Sequence, residues 1–152
     1  MVFMLSLGLQ ILSWGYGGVV SLRNLLYKKK VKKSFFYKKP IVIGVGNLSL
    51  GGTGKTPLVI YLVQLLAKEH VVAVLSRGYK RTSVDFKVVN GLASASTAGD
   101  EPYLLYKHFL GNPNVLITVC ENRAKGVAKI MEYRPNVEVI ILDDAFQHLS
   151  LT

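Results

Sequence analysis

The chain has one cysteine, Cys120, and one tryptophan, Trp14, among its 152 residues. A lone thiol excludes a disulfide framework and suits a reducing compartment. Proline is scarce too, at five residues, and the fourteen glycines follow no G-X-Y period, which excludes collagen-like or linker material. Acidic residues are few, nine Asp+Glu against nineteen Lys+Arg, for a formal net charge of +10. Only 18% of the chain is charged whereas 50% is hydrophobic. That balance excludes intrinsic disorder, and the length suffices for one core but not comfortably for two. The basic excess suggests nucleic acid, an anionic membrane or a phosphorylated substrate as partner.

Acidic residues are missing altogether from residues 1–39, which carry Arg23, Lys28, Lys29, Lys30, Lys32, Lys33, Lys38 and Lys39. Residues 40–152 hold the other eleven positives and all nine acids, so they are close to neutral. Within the first segment, Val2 to Leu22 has no charge. As a helix it is roughly 31 Å long at about 1.5 Å per residue, close to the bilayer hydrocarbon thickness. Four glycines, three serines and Gln10 moderate its apolarity, so two membrane readings stand, a spanning helix or one lying in the interface. Trp14, Tyr16 and Tyr27 suit the interface.

A secretory signal places positive charge before its apolar stretch, and here the order is reversed. The positive-inside rule then puts the rest of the chain in the cytoplasm, with the lysines against anionic headgroups. Two other readings compete: a buried core helix with a solvated charge run, or a lysine patch whose Phe35, Phe36 and Tyr37 stack on bases. An uncharged run of this length rarely serves a soluble core. Basic and aromatic residues beside an apolar segment are interface composition, so membrane ranks first and no nucleic-acid partner is expected.

Pro40 opens Ile41-Val42-Ile43, a β-branched run that predicts a buried strand to Val45. GNLSLGGTGKTP follows over 46–57, then an apolar-periodic helix from Leu58 to Glu69. Strand, glycine-rich loop and helix are the setting of a phosphate-binding loop. Gly51, Gly52 and Gly54 let the backbone amides around Thr53 turn inward on phosphate oxygens, and the helix N-terminus adds partial positive charge. Lys55 reaches the β/γ-phosphates, Thr56 offers a hydroxyl to Mg²⁺, and Pro57 fits the first helical turn. The general G-x-x-x-x-G-K-[ST] pattern wants glycine at position 49, where this chain has Ser49. The loop is a variant.

Val71 to Leu75 reads as a second strand, ending in SRGYKR with Arg77, Tyr79, Lys80 and Arg81. Strand ends are where open α/β sheets bind ligands, and this loop reads equally as a solvated turn or a phosphate-recognition loop. Val84 to Val89 is a candidate short strand. GDEP precedes a helix over Tyr103 to Leu110, and Asp100 either caps that helix or faces the nucleotide site. Val115 to Val119 is a further strand, followed by a helix over Glu121 to Tyr133 with Arg123 as a candidate phosphate contact. The last strand, Val137 to Leu142, empties into Asp143-Asp144, a Walker B arrangement in which adjacent carboxylates call for a cation. His148 reads as a side chain that orients a metal ligand, a substrate contact or a surface histidine.

In order, GNLSLGGTGKTP, SRGYKR, GDEP and DDAFQH after an N-terminal hydrophobic helix resemble the tetraacyldisaccharide 4'-kinase family over essentially the whole chain. The family's loop is typically GN-x-x-x-GG-x-GKT, which accommodates Ser49. The resemblance implies an α/β, P-loop NTPase-type, mostly parallel sheet with flanking helices. It implies a membrane-associated helix at 1–27, a basic juxtamembrane segment at 28–39 and a kinase domain at 40–152. By position it implies that Gly51, Gly52, Thr53, Gly54, Lys55, Thr56 and Pro57 bind ATP, and that Thr56, Asp143 and Asp144 hold Mg²⁺. Asp100 becomes the carboxylate that accepts the sugar hydroxyl proton, with Lys55 catalytic beside it. Arg77, Tyr79, Arg123, Gln147 and His148 become nucleotide or acceptor contacts.

The implied reaction moves the γ-phosphate of ATP to the 4'-hydroxyl of a tetraacyldisaccharide 1-phosphate, a lipid A precursor, at the cytoplasmic face of the bacterial inner membrane. Family members continue into a second lobe, so the expectation is a truncated form with an incomplete sheet. The alternatives are a membrane-anchored P-loop ATPase switch, and an inactive fragment that binds nucleotide only. A GTPase switch is disfavoured because no guanine-reading N-K-x-D element occurs.

Overall fold

The computed structural model describes residues 40–46 and 54–144. The segments expected to form the membrane helix and its basic collar, most of the glycine-rich loop, and Gln147 and His148 lie outside the described residues. Among the described residues no helix is long and apolar enough to cross a membrane.

Five strands form one sheet in the order β1-β5-β2-β4-β3: β1 Ile41–Val45, β2 Val72–Ser76, β3 Lys87–Val88, β4 Val115–Val119 and β5 Val139–Asp143. The pairs β1–β5, β5–β2 and β2–β4 are parallel, and only the two-residue β3 runs antiparallel, against β4. Every residue of β2 and β5 is buried. Both strands are near-continuous Val, Ile, Leu and Ala, the composition of strands covered on two faces. A mixed α/β architecture with a mostly parallel sheet is therefore what the chain adopts.

The first strand is not the buried strand expected from its sequence. Ile41 is 62% exposed and only Val45 is fully covered, because β1 has β5 as its one sheet partner among the described residues. The Val84 to Val89 strand shrinks to Lys87–Val88, since Asp85 just before it adopts positive φ and breaks the extended run. The last strand starts two residues later than expected and takes in Asp143.

Helix α1, Lys55–Leu66, begins directly after Gly54, whose φ of 73° suits glycine at an N-cap. It docks through Val59 and Val63, one turn apart and fully buried, so truncating either to Ala costs about 1–2 kcal/mol. The one-turn helix α2, Ala95–Ala98, was not foreseen; a capping box between Ser94 and Thr97 holds it. Helix α3, Asp100–His108, starts earlier than expected and carries Asp100 and Glu101 in its first turn and Lys107 and His108 in its last, each suited to the local dipole. Helix α4, Arg123–Tyr133, is capped by Asn122, whose side chain accepts from the Lys125 amide at 3.0 Å. Gly126 lets α4 lie on β2: a Cβ there would sit 2.7 Å from a Leu75 methyl.

Register decides what meets at the sheet's edge. Val45 pairs with Asp143, so the start of the glycine-rich loop lies beside the acidic end of β5. Leu75 pairs with Leu142, which brings Ser76 alongside the same aspartate. The parallel strands thus deliver the end of β1, Ser76 and Asp143 to one edge, at the carboxyl ends of the strands, where ligands bind in open α/β sheets.

Candidate active site

A cleft of about 450 Å³ opens at that edge, lined by Lys55, residues 76–80, residues 100–102, Asp143 and Asp144. Lys55 comes from the first turn of α1, Asp100 and Glu101 from the first turn of α3, and the aspartate pair from the end of β5. The Lys55 ammonium donates to Asp144 Oδ1 at 2.8 Å. That hydrogen bond raises the Lys55 pKa despite partial burial, so the side chain is a fixed cation. Asp144 has φ of 57°, an uncommon conformation that turns its carboxylate off the strand and into the cleft.

The two aspartates differ. Asp143 is buried, and the Ser76 hydroxyl donates to its Oδ2 at 3.2 Å. Burial pushes its carboxyl pKa up, the Ser76 bond opposes this, and the Asp144 charge raises it further. Glu101 is also raised, first by burial and then by Asp143. Four carboxylates, Asp100, Glu101, Asp143 and Asp144, line the cleft with three cations, Lys55, Arg77 and Lys80, and Lys55 pairs with Asp144.

Asp100 does not cap its helix. Gly99 occupies the cap position with φ of 94°, and no side-chain cap bond is made, which leaves the Asp100 carboxylate exposed on the cleft wall. Of the two readings open at Asp100, the structure shows no side-chain cap bond and places the residue on the cleft lining. Arg77 and Tyr79 also line the cleft as expected, Tyr79 being 73% exposed with the Lys80 ammonium 5.5 Å from its ring centre. Thr56 and Pro57 follow Lys55 in the first turn of α1 without lining the cleft.

Arg123 departs from expectation. It is 1% exposed and does not line the cleft. Its Nη1 donates to the Cys120 carbonyl at 3.1 Å and its Nη2 to the Asp143 carbonyl at 2.6 Å. A guanidinium at the first position of α4 reads as a ligand contact in sequence, but the packing of α4 on β2 turns it inward to brace the end of β5. Glu101 and Ser76 are cleft residues that sequence reasoning did not single out; the signal for Glu101 is its place beside Asp100 in a helix's first turn, and that for Ser76 its place at the end of β2.

The family model for tetraacyldisaccharide-1-P 4'-kinase matches residues 5–152. A tetraacyldisaccharide 4'-kinase of Flavobacterium psychrophilum is 46% identical over 133 residues, covering 88% of this chain and 38% of that protein. Its counterpart in Bacteroides thetaiotaomicron is 44% identical over 137 residues, covering 90% of this chain and 35% of that protein. The crystal structure of LpxK from Aquifex aeolicus in complex with ATP superposes with a TM-score of 0.83 at 42% identity, covering 95% of this chain and 45% of that one. The chain thus spans little more than a third of the length of the curated relatives it matches.

Proposed function

The chain belongs to the tetraacyldisaccharide 4'-kinase family, and from that membership we propose that it carries the nucleotide-binding and catalytic portion of a lipid kinase. The reaction is transfer of the ATP γ-phosphate to the 4'-hydroxyl of a tetraacyldisaccharide 1-phosphate. The observation that carries the reading is the convergence of Lys55, Asp100, Asp143 and Asp144 on one cleft beyond the parallel strands.

The residues present fit Mg²⁺. Asp143 is a buried carboxylate with one protein donor and a second carboxylate beside it, an arrangement that a dication relieves. Magnesium commonly takes one or two carboxylates and completes its shell with phosphates and water, so Asp143 and Asp144 would suffice as protein ligands. When bound, the ion neutralises charge on the transferring phosphate. The chain's own residues do the remainder. Gly51 to Thr56 cradle the phosphates, and the Lys55 ammonium balances charge that develops on them. Asp100, exposed and cleft-facing, accepts the acceptor's hydroxyl proton. Arg77 and Tyr79 offer a cation and an aromatic face to the acceptor or the nucleotide.

The uncharged segment 2–22 and the lysine run after it hold the enzyme at the cytoplasmic face of the inner membrane, where the acyl chains of the acceptor reside. The test is transfer of labelled γ-phosphate to a tetraacyldisaccharide 1-phosphate in mixed micelles. Transfer that is lost in Asp100→Ala, with Mg·ATP binding retained, supports the reading. ATP hydrolysis without transfer favours a switch, and nucleotide binding with neither activity favours a binding-only fragment.

A further inference from the structure

The SRGYKR loop supplies three cations at the end of β2, and the structure divides them. Arg77 and Lys80 line the cleft, whereas the Arg81 side chain is only 1% exposed and lies behind it. An arginine so fully covered has given up its hydration, and the bonds it makes show to what end. Its Nε and Nη2 both donate to Glu121 Oε1, its Nη2 also to the Asp85 carbonyl, and its Nη1 to the Ser83 hydroxyl at 3.3 Å. Burial pushes the Glu121 pKa up, but its own backbone amide and Arg81 outweigh that, and it stays below the ordinary value.

These bonds join three segments. Glu121 stands at the end of β4, two residues before the arginine that braces Asp143. Ser83 passes the link on by donating to the Thr97 carbonyl, and the Thr82 amide donates to Ser96 at 2.9 Å, so the loop is stitched to α2. Residue 99 follows α2, and Asp100 follows it. The aliphatic part of Arg81 also packs under Gly78, where a Cβ would fall 2.4 Å from Arg81 Cδ. Gly78 in turn touches Gly99: a Cβ on Gly99 would fall 3.2 Å from Gly78 Cα. Arg81 therefore stands behind the contact at which the two cleft walls, 77–80 and 100–102, meet.

We propose that Arg81, clamped by Glu121, is a positioning residue that fixes Asp100 relative to Asp143 by holding the Gly78–Gly99 contact between the cleft walls. Arg81 touches neither nucleotide nor acceptor and acts through the backbone. A lysine cannot replace it, because one ammonium does not span Glu121, Ser83 and the Asp85 carbonyl with fork geometry. The catalytic consequence rests on the kinase reading above; the clamp itself does not.

The test compares the unmodified chain with Arg81→Ala, Arg81→Lys, Glu121→Ala and the Arg81→Ala/Glu121→Ala pair. Amide hydrogen exchange is read at residues 96–103, with α1 as internal control. Exchange at 96–103 is expected to accelerate about tenfold in Arg81→Ala, and less in Arg81→Lys, with α1 unchanged. Mg·ATP affinity is expected to stay within about threefold, while kcat for transfer falls about tenfold or more at unchanged nucleotide KM, since small misplacements of a base are costly. The double variant is expected to match the single ones, because all remove one link. Unchanged exchange at 96–103, equal acceleration throughout the chain, or nucleotide affinity falling in step with kcat overturns the proposal. Absence of transfer by the unmodified chain counts against the kinase reading instead, and exchange then decides the clamp. If Arg81→Ala does not fold, Arg81→Lys and Glu121→Ala carry the same comparison.

Discussion

The Lys55 ammonium and the Asp144 carboxylate meet at 2.8 Å across 89 residues of sequence. Among the described elements, the pair joins the start of α1 to the residue that follows β5. Asp144 is 61% exposed, so water screens the pair and it contributes at most about 1 kcal/mol to stability. Lys55→Ala is therefore expected to leave the melting temperature within about 2–4 °C of the unmodified chain while Mg·ATP binding is lost. A thermal melt alongside a nucleotide titration separates the two. A large loss of Tm would show that the lysine is structural.

Asp143 leads to the opposite expectation. Its folded-state pKa is raised, mainly by burial, so it favours the fold only when protonated. Stability from this group is present below the ordinary carboxylate value near 3.8 and is lost as pH rises through the raised one. At neutral pH without metal the ionised side chain is a cost. Asp143→Asn is accordingly expected to raise stability by about 1 kcal/mol in metal-free buffer, most clearly above the raised pKa, while abolishing the gain that Mg²⁺ confers. Denaturant melts with and without Mg²⁺ read both effects, and a destabilised variant refutes the account.

Three glycines separate backbone strain from steric overlap. Gly111 has φ of 86° with open space where a Cβ would go, so Gly111→Ala carries strain alone, about 1 kcal/mol. Gly126 sits in α4 with Leu75 in the way, so Gly126→Ala gains helix propensity of about 1 kcal/mol yet nets about 1 kcal/mol of loss from overpacking. Gly99 combines φ of 94° with backbone atoms of 78 and 79 at 3.2 Å that cannot yield as a side chain can. Gly99→Ala is expected to cost the most, about 2–3 kcal/mol. Urea denaturation of the three variants gives the order, and any other order rejects this division.

Cys120 is buried at the end of β4, and burial raises its thiol pKa. The thiolate is the reactive form, so a disulfide reagent at pH 8 is expected to label native protein at least about a hundredfold more slowly than urea-unfolded protein. Rapid labelling of the native chain would show that this end of β4 opens readily.

Much of this arrangement was legible in the sequence, for identifiable reasons. The β-branched runs gave β4 to the residue and β2 to within one position, because a buried parallel strand has little else to be. Of the motifs GGTGKT, GDEP and the aspartate pair, the cleft lining includes Lys55, Asp100, Glu101, Pro102, Asp143 and Asp144. What stayed hidden depends on neighbours distant in sequence. Ile-Val-Ile-Gly-Val reads as buried, and only the sheet order exposes it. Arg77, Arg81 and Arg123 are equivalent as letters, yet one faces the cleft and two are buried behind it as braces, according to which segments pack over them. Lys80 and Asp144 take positive φ without being glycine, so no turn signal marks them.

The sheet order also constrains the route by which the protein is made. As the chain emerges, β1 appears first, yet its partner among the described strands is β5, the last to appear. Pairing of Ile41 with Val139 closes nearly the whole described fold into one loop, a contact of high sequence separation that slows folding. Until β5 inserts between β1 and β2, Val45 has no Asp143 beside it and Lys55 no Asp144. A ribosome-bound chain stalled before residue 139 therefore lacks β5 and both aspartates, and the Lys55–Asp144 pair forms only after residue 144 has been translated.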